Sequence, residues 1–155
     1  MKKIFSTNNN TGATDIALLI ARIGIAALML THGIPKMQML FSGEPVKFPP
    51  VMGLSGQVSL GLAVFAEVVC SVFLLIGFAT RLAAFPLIIT MSMAIISIHG
   101  ADPIAVKEPA LHYLLVYVVL LFAGAGKYSV DYLFRSKNIK VDLGELRQQK
   151  PSMVI

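Results

Sequence analysis

VSLGLAVFAEVVCSVFLLIGF, residues Val58–Phe78, is an apolar run long enough to cross a bilayer, with one carboxylate, Glu67, near its middle. A soluble core helix does not need about twenty consecutive apolar positions, and a simple lipid anchor does not need an acid. The run therefore predicts a helical bundle in the membrane with polar groups inside it. Ser59, Ala63, Glu67, Cys70 and Ser71 recur at spacings of three and four, which places them on one helical face. Small and weakly polar residues are the ones that face other membrane helices, so Glu67 is expected to point inward.

The rest of the chain agrees with this class. Of its 155 residues 56% are hydrophobic and only 14% charged, with a mean hydropathy of +0.78. Further apolar runs at about 16–32, 82–98 and 110–128 give four spans in all. The expected fold is all-α, an integral membrane antiparallel four-helix bundle over residues 15–134. A polar N-terminal tail (1–14) and a basic C-terminal tail (135–155) flank it. The first residues lack the apolar centre of a cleavable signal, so the first span is expected to direct insertion itself.

Span one is read as capped by Thr14 and Asp15 and ended by His32, Gly33 and Pro35. A connection rich in proline and glycine then runs to about Gln57. Ala79–Arg81 is a tight turn, and span four starts at Ala110 with Pro109 as its first helical residue. With four spans, both termini and the Arg81 turn share one side. That side holds Lys2, Lys3, Arg81, Lys127, Arg135, Lys137, Lys140, Arg147 and Lys150, against Lys36, Lys47 and Lys107 opposite. The positive-inside rule then places both termini in the cytoplasm. No basic stripe interleaved with aromatics suggests nucleic acid. The single cysteine, Cys70, excludes an internal disulfide or a CxxC relay.

Two polar groups invite a functional reading. Arg22 lies about 12 Å into span one and Glu67 about 16 Å from the same end of span two, so an Arg22–Glu67 ion pair is expected. It is either a latch that fixes helix register or a proton-handling, quinol-contacting site. At the opposite end, His32, Lys36, His99, Glu108 and His112, with Asp102 at the same level, form a group able to bind a divalent metal or the head of a quinone. No haem, flavin or phosphate-loop pattern is present.

The stretches ARIGIAALMLTHGIPK (Ala21–Lys36), AEVVCSVFLLIGFATRLAA (Ala66–Ala84) and GAGKYSVD (Gly124–Asp131) resemble the DoxX family of small four-helix bacterial membrane proteins. The residues that carry the resemblance are Arg22, Gly24, Gly33 and Lys36, then Glu67, Gly77 and Arg81, then Gly124, Gly126, Ser129 and Asp131. The resemblance implies a bacterial inner-membrane protein. The family takes its name from the small subunit of a terminal quinol oxidase that also acts with thiosulfate:quinone oxidoreductases, and relatives are linked to membrane redox or thiol-stress complexes. The expected function is that of a non-catalytic accessory subunit of such a complex, with a quinone as the ligand, a redox protein as partner, and self-association into a homo-oligomer open to it. The alternatives are a small proton-coupled transporter or lipid-handling protein, and a structural protein in which the ion pair is only a latch.

Overall fold

The computed structural model describes residues 11–136. Four helices among them are long and apolar enough to cross a membrane: α1 (Thr11–Phe41), α2 (Gly56–Ile76), α3 (Thr80–Ile98) and α4 (Ile104–Ala123). Residues 130–136 are also helical, and no strand occurs among the described residues. Short turns join α2 to α3 and α3 to α4, so these helices alternate in direction. Packing closes the ring: α1 lies on α2, α2 on α3, α3 on α4, and α4 returns to α1. The molecule is an all-α membrane bundle.

Its interior is small-grained. Ala26, Met29, Ala66, Cys70, Leu74, Ala83, Leu87 and Leu120 form the core together with Tyr117. Large apolar side chains such as Ile20, Leu82, Leu115 and Phe122 face outward instead, an arrangement that suits lipid rather than water. The stripe read from the sequence of α2 is buried throughout: Ser59, Ala63, Glu67, Cys70 and Ser71 all lie inside.

Several helix ends differ from the sequence reading. α1 starts at Thr11, so Asp15 is not its cap, and it continues through His32, Gly33 and Pro35 to Phe41. At 31 residues it is about 46 Å long, well beyond a hydrocarbon core of about 30 Å. Pro35 removes one backbone hydrogen bond, but packing against α2 at Gly33 holds the helix together across it. α4 begins at Ile104 with Pro103 at its cap, and Pro109 lies inside the helix. The earlier proline provides the start, and the segment before Pro109, with Ile104 and Val106 exposed, adds more than a turn to the helix. α4 also stops at Ala123 instead of continuing to Ser129, because Gly124 (φ 78°) and Gly126 (φ 73°) turn the chain beneath the bundle. Apart from residues 11–14, 135 and 136, the two tails lie outside the described residues.

The α2–α3 turn shows how that end is held. Gly77 (φ 70°) ends α2, with Phe78 N–H donating to Phe73 O over 2.9 Å, the long return bond of a left-handed helix stop. Ala79 (φ 47°) precedes α3. The Asp131 carboxylate accepts from Ala79 N–H (2.7 Å) and Thr80 N–H (3.0 Å), capping α3 from 51 residues away. Asp15 acts similarly on the loop after α4, accepting from Lys127 N–H at 3.1 Å.

Candidate functional site: a cavity over a buried ion pair

Glu67 is held at the centre of the bundle by a local irregularity in its helix. Phe65–Cys70 is a π-helical turn inside α2, a widened stretch that re-aims a side chain and recurs at functional sites. The Glu67 side chain is 2% exposed, and its Oε1 accepts from Lys36 Nζ at 2.5 Å. Its other oxygen, Oε2, is buried with no hydrogen-bond partner.

The partner is therefore Lys36 and not Arg22, a correction to the expected pair. The close crossing at Gly33 makes this geometry. A Cβ on Gly33 would lie 2.8 Å from Val68 Cγ2 and 3.0 Å from both the carbonyl carbon and Cβ of Glu67. Lys36, three residues further along, lies on the same face of α1 and so reaches over Glu67. Arg22 is about 21 Å away along α1, by the helical rise. It donates instead to the carbonyls of Ala125 and Tyr128, both at 2.6 Å.

Above the pair lies a cavity of about 370 Å³ between α1, α2, α3 and the segment Phe48–Leu54. Its lining is mainly apolar, with Leu62, Ala63 and Met93 on the walls and Lys36, Glu67, Ser59 and Thr90 as its polar points. The roof is tied down: Ser59 Oγ accepts from Val51 N–H at 3.1 Å, and Lys36 Nζ lies 6.0 Å from the centre of the Phe48 ring. A second π-helical turn, Ala94–Ile98, ends α3 and contributes Ala94 and Ile98 to the same cavity. Both irregular helical turns thus border one space.

The expected outer-face group does not converge. Lys36 turns inward, and His32 packs edge-on against Tyr113 with ring centres 5.8 Å apart. His99 Nδ1 lies 2.7 Å from Asp102 Oδ2, while His112 Nδ1 donates to the Glu108 carbonyl of its own helix at 2.8 Å. Among the described residues no three His, Cys, Asp or Glu side chains are grouped closely enough to hold a metal. A helix that continues past Pro35 spreads along its length residues that a loop could have brought together.

Two features escaped the sequence reading. Tyr117 is fully buried, its hydroxyl has no hydrogen-bond partner, and its ring stacks on Tyr113 at 6.2 Å. The Tyr113/Tyr117 spacing of four, in an otherwise aliphatic span, was the available signal. For the Phe48–Leu54 roof the signal was the apolar stretch Val51–Leu54, which by itself points to the membrane surface and not to a cavity.

Most of the remaining resemblance residues meet at the other end of the bundle, around the Gly77 turn and the 124–131 loop. Gly77 packs there against Arg22 and Ser129, and its carbonyl accepts from Asp131 N–H at 2.9 Å. Arg81 Nη2 donates to Phe122 O at 3.1 Å, and its guanidinium lies against Gly124. An added Cβ on Gly24 would meet nothing within 4 Å, so no contact requires glycine at that position.

Comparison with known proteins identifies the family. The DoxX family model matches residues 17–100, which include Arg22, Lys36, Glu67 and Gly77. An uncharacterized protein of Haemophilus influenzae is 34% identical over 127 residues, covering 77% of this chain and 92% of its own length. A second uncharacterized protein of the same organism is 31% identical over 129 residues, covering 79% of this chain and 85% of its own. No solved structure matches. The family match, the relatives and the buried residues that carry the sequence pattern lead to one conclusion: this chain belongs to the DoxX family.

Proposed function

We propose that this protein is a non-catalytic accessory subunit of a membrane redox complex and that it holds a quinone in the cavity over Lys36 and Glu67. The observation that carries this reading is a charged pair at the floor of a mainly apolar space. Such a site suits a ligand with an apolar body and a polar head. The Lys36 ammonium can donate to a quinone carbonyl oxygen, and the unpartnered Glu67 Oε2 can accept from a quinol hydroxyl. Both redox forms then find a hydrogen-bond partner without rearrangement of the bundle. Electrons pass between the quinone and the cofactor of a partner protein, while this chain positions the quinone head.

The reading places the protein in the bacterial inner membrane with both termini in the cytoplasm, supported by the excess of Lys and Arg on that side. A thiol reagent confined to the outside should then label a cysteine placed at Lys47 and leave one placed at Arg135 unlabelled. The reverse pattern would invert the orientation.

Quinone binding is tested by titrating decylubiquinone and menadione into the protein in nanodiscs. Saturable binding is expected, weakened at least about tenfold by Glu67→Gln, the loss of one charge-assisted hydrogen bond. Ala63→Leu, which fills the cavity wall and leaves the ion pair in place, should weaken it as well. Absence of saturable binding to the wild-type protein would overturn the assignment.

A further inference from the structure

A second cavity, of about 610 Å³, opens at the end of the bundle away from the ion pair, between the α2–α3 turn, the end of α4 and residues 124–135. Its charged lining is Arg81, Lys127 and Arg135 with Asp15 and Asp131. The two acids are already engaged by the fold. The Asp131 oxygens accept from Ala79 N–H and Thr80 N–H at the start of α3, and Asp15 accepts from Lys127 N–H while its other oxygen lies 3.3 Å from Lys127 Nζ. The balance facing the cavity is cationic and rests on Arg81 and Arg135.

Arg81 is held for such a role. Its guanidinium lies beside Gly124 (φ 78°), within ordinary contact distance of where a Cβ would stand, 3.5 Å from Nε and 3.7 Å from Nη2. One N–H is committed to Phe122 O, which leaves other donors of the fork for a ligand. Exposed apolar surface flanks the cavity: of its lining residues Leu82 is 73% exposed and Tyr132 is exposed as well, and Phe122, next in sequence to the lining residue Ala123, is 75% exposed. A small soluble anion would use the cations alone. A phospholipid uses both features, with its phosphate among the cations and its acyl chains along Leu82 and Phe122.

We infer that this cavity is a binding site for the headgroup of an anionic phospholipid. It is independent of the quinone cavity and of its occupant.

The test is native mass spectrometry of the full chain in detergent, titrated with dioleoylphosphatidylglycerol, dioleoylphosphatidylcholine or inorganic phosphate. One phosphatidylglycerol should be retained per chain in preference to phosphatidylcholine, and inorganic phosphate should not compete at equal concentration. Arg135→Gln should weaken that retention about fivefold, the share of one cation near a lipid surface, while Arg135→Lys preserves it. Arg81→Gln should weaken it further. Should Arg81→Gln fail to fold, Arg135→Gln, checked by an unchanged melting temperature without lipid, decides the matter. Equal retention of the two lipids, or undiminished phosphatidylglycerol binding in folded Arg135→Gln, would overturn the site. Competition by inorganic phosphate would replace the lipid with a free anion.

Discussion

Lys36→Met should destabilise the bundle by about 3 kcal/mol, the loss expected when one member of a buried ion pair is removed, whereas Glu67→Gln should do so by only about 1 kcal/mol. The asymmetry follows from where each charge is left. Removing Lys36 strands a carboxylate that is 2% exposed and whose second oxygen already has no partner. Removing the charge of Glu67 leaves an ammonium whose side chain is 30% exposed and can turn toward the headgroup level. Lys36→Met with Glu67→Gln should recover most of the loss, since both charges then leave together. Reversible unfolding in mixed detergent micelles, run as a double-mutant cycle, measures the coupling. A coupling below about 0.5 kcal/mol would mean that the two side chains do not act as a pair. The same double variant separates a latch from a site. A latch requires only that stability return, whereas the proposed quinone cavity requires that binding stay lost even when stability is regained.

How far the sequence could lead depended on whether a signal was periodic or positional. The face of α2 was legible because burial follows the helical period, and Ser59 through Ser71 fell on it as expected. The partner of Glu67 was not, because depth was counted from assumed helix ends. Arg22 in fact lies at the level of Gly77, about 15 Å from Glu67 by helical rise. Gly33 could be read two ways, as a residue that ends a helix and as a small residue that lets helices approach; its missing Cβ serves the second, the α1–α2 crossing that brings Lys36 over Glu67. Local propensity cannot distinguish a glycine that ends a helix from one that lets two helices touch. The π-helical turns at Phe65–Cys70 and Ala94–Ile98 have no composition of their own, so the cavity they border could only be found in three dimensions.

Gly77→Ala should be the most damaging single methyl addition at the opposite end, costing about 3 kcal/mol or more. Part of this is conformational, since an L-residue at φ 70° loses roughly 1 kcal/mol relative to glycine. The larger part is steric. The new Cβ would lie 2.6 Å from Arg22 Nη1, 2.8 Å from Arg22 Cζ and 2.6 Å from Ser129 Cβ. Arg22 has no room to retreat. It is 2% exposed, and its Nη1 and Nη2 donate to the Ala125 and Tyr128 carbonyls. Each of those charge-assisted bonds contributes about 1.5–3 kcal/mol. Ser129 is similarly tied, its Oγ donating to Gly126 O at 2.6 Å, and Asp131 N–H donates to Gly77 O itself at 2.9 Å. Moving Gly77 therefore disturbs the cap of α3 together with the Arg22 contacts. Gly24→Ala supplies the control, because a Cβ there meets nothing within 4 Å and should be neutral or mildly stabilising. Combined with Arg22→Ala, which removes the obstructing guanidinium, Gly77→Ala should cost less than it does alone. If the two losses simply add, the clash with Arg22 is not what glycine at position 77 avoids, and the contact with Ser129 Cβ and the backbone conformation must carry the effect.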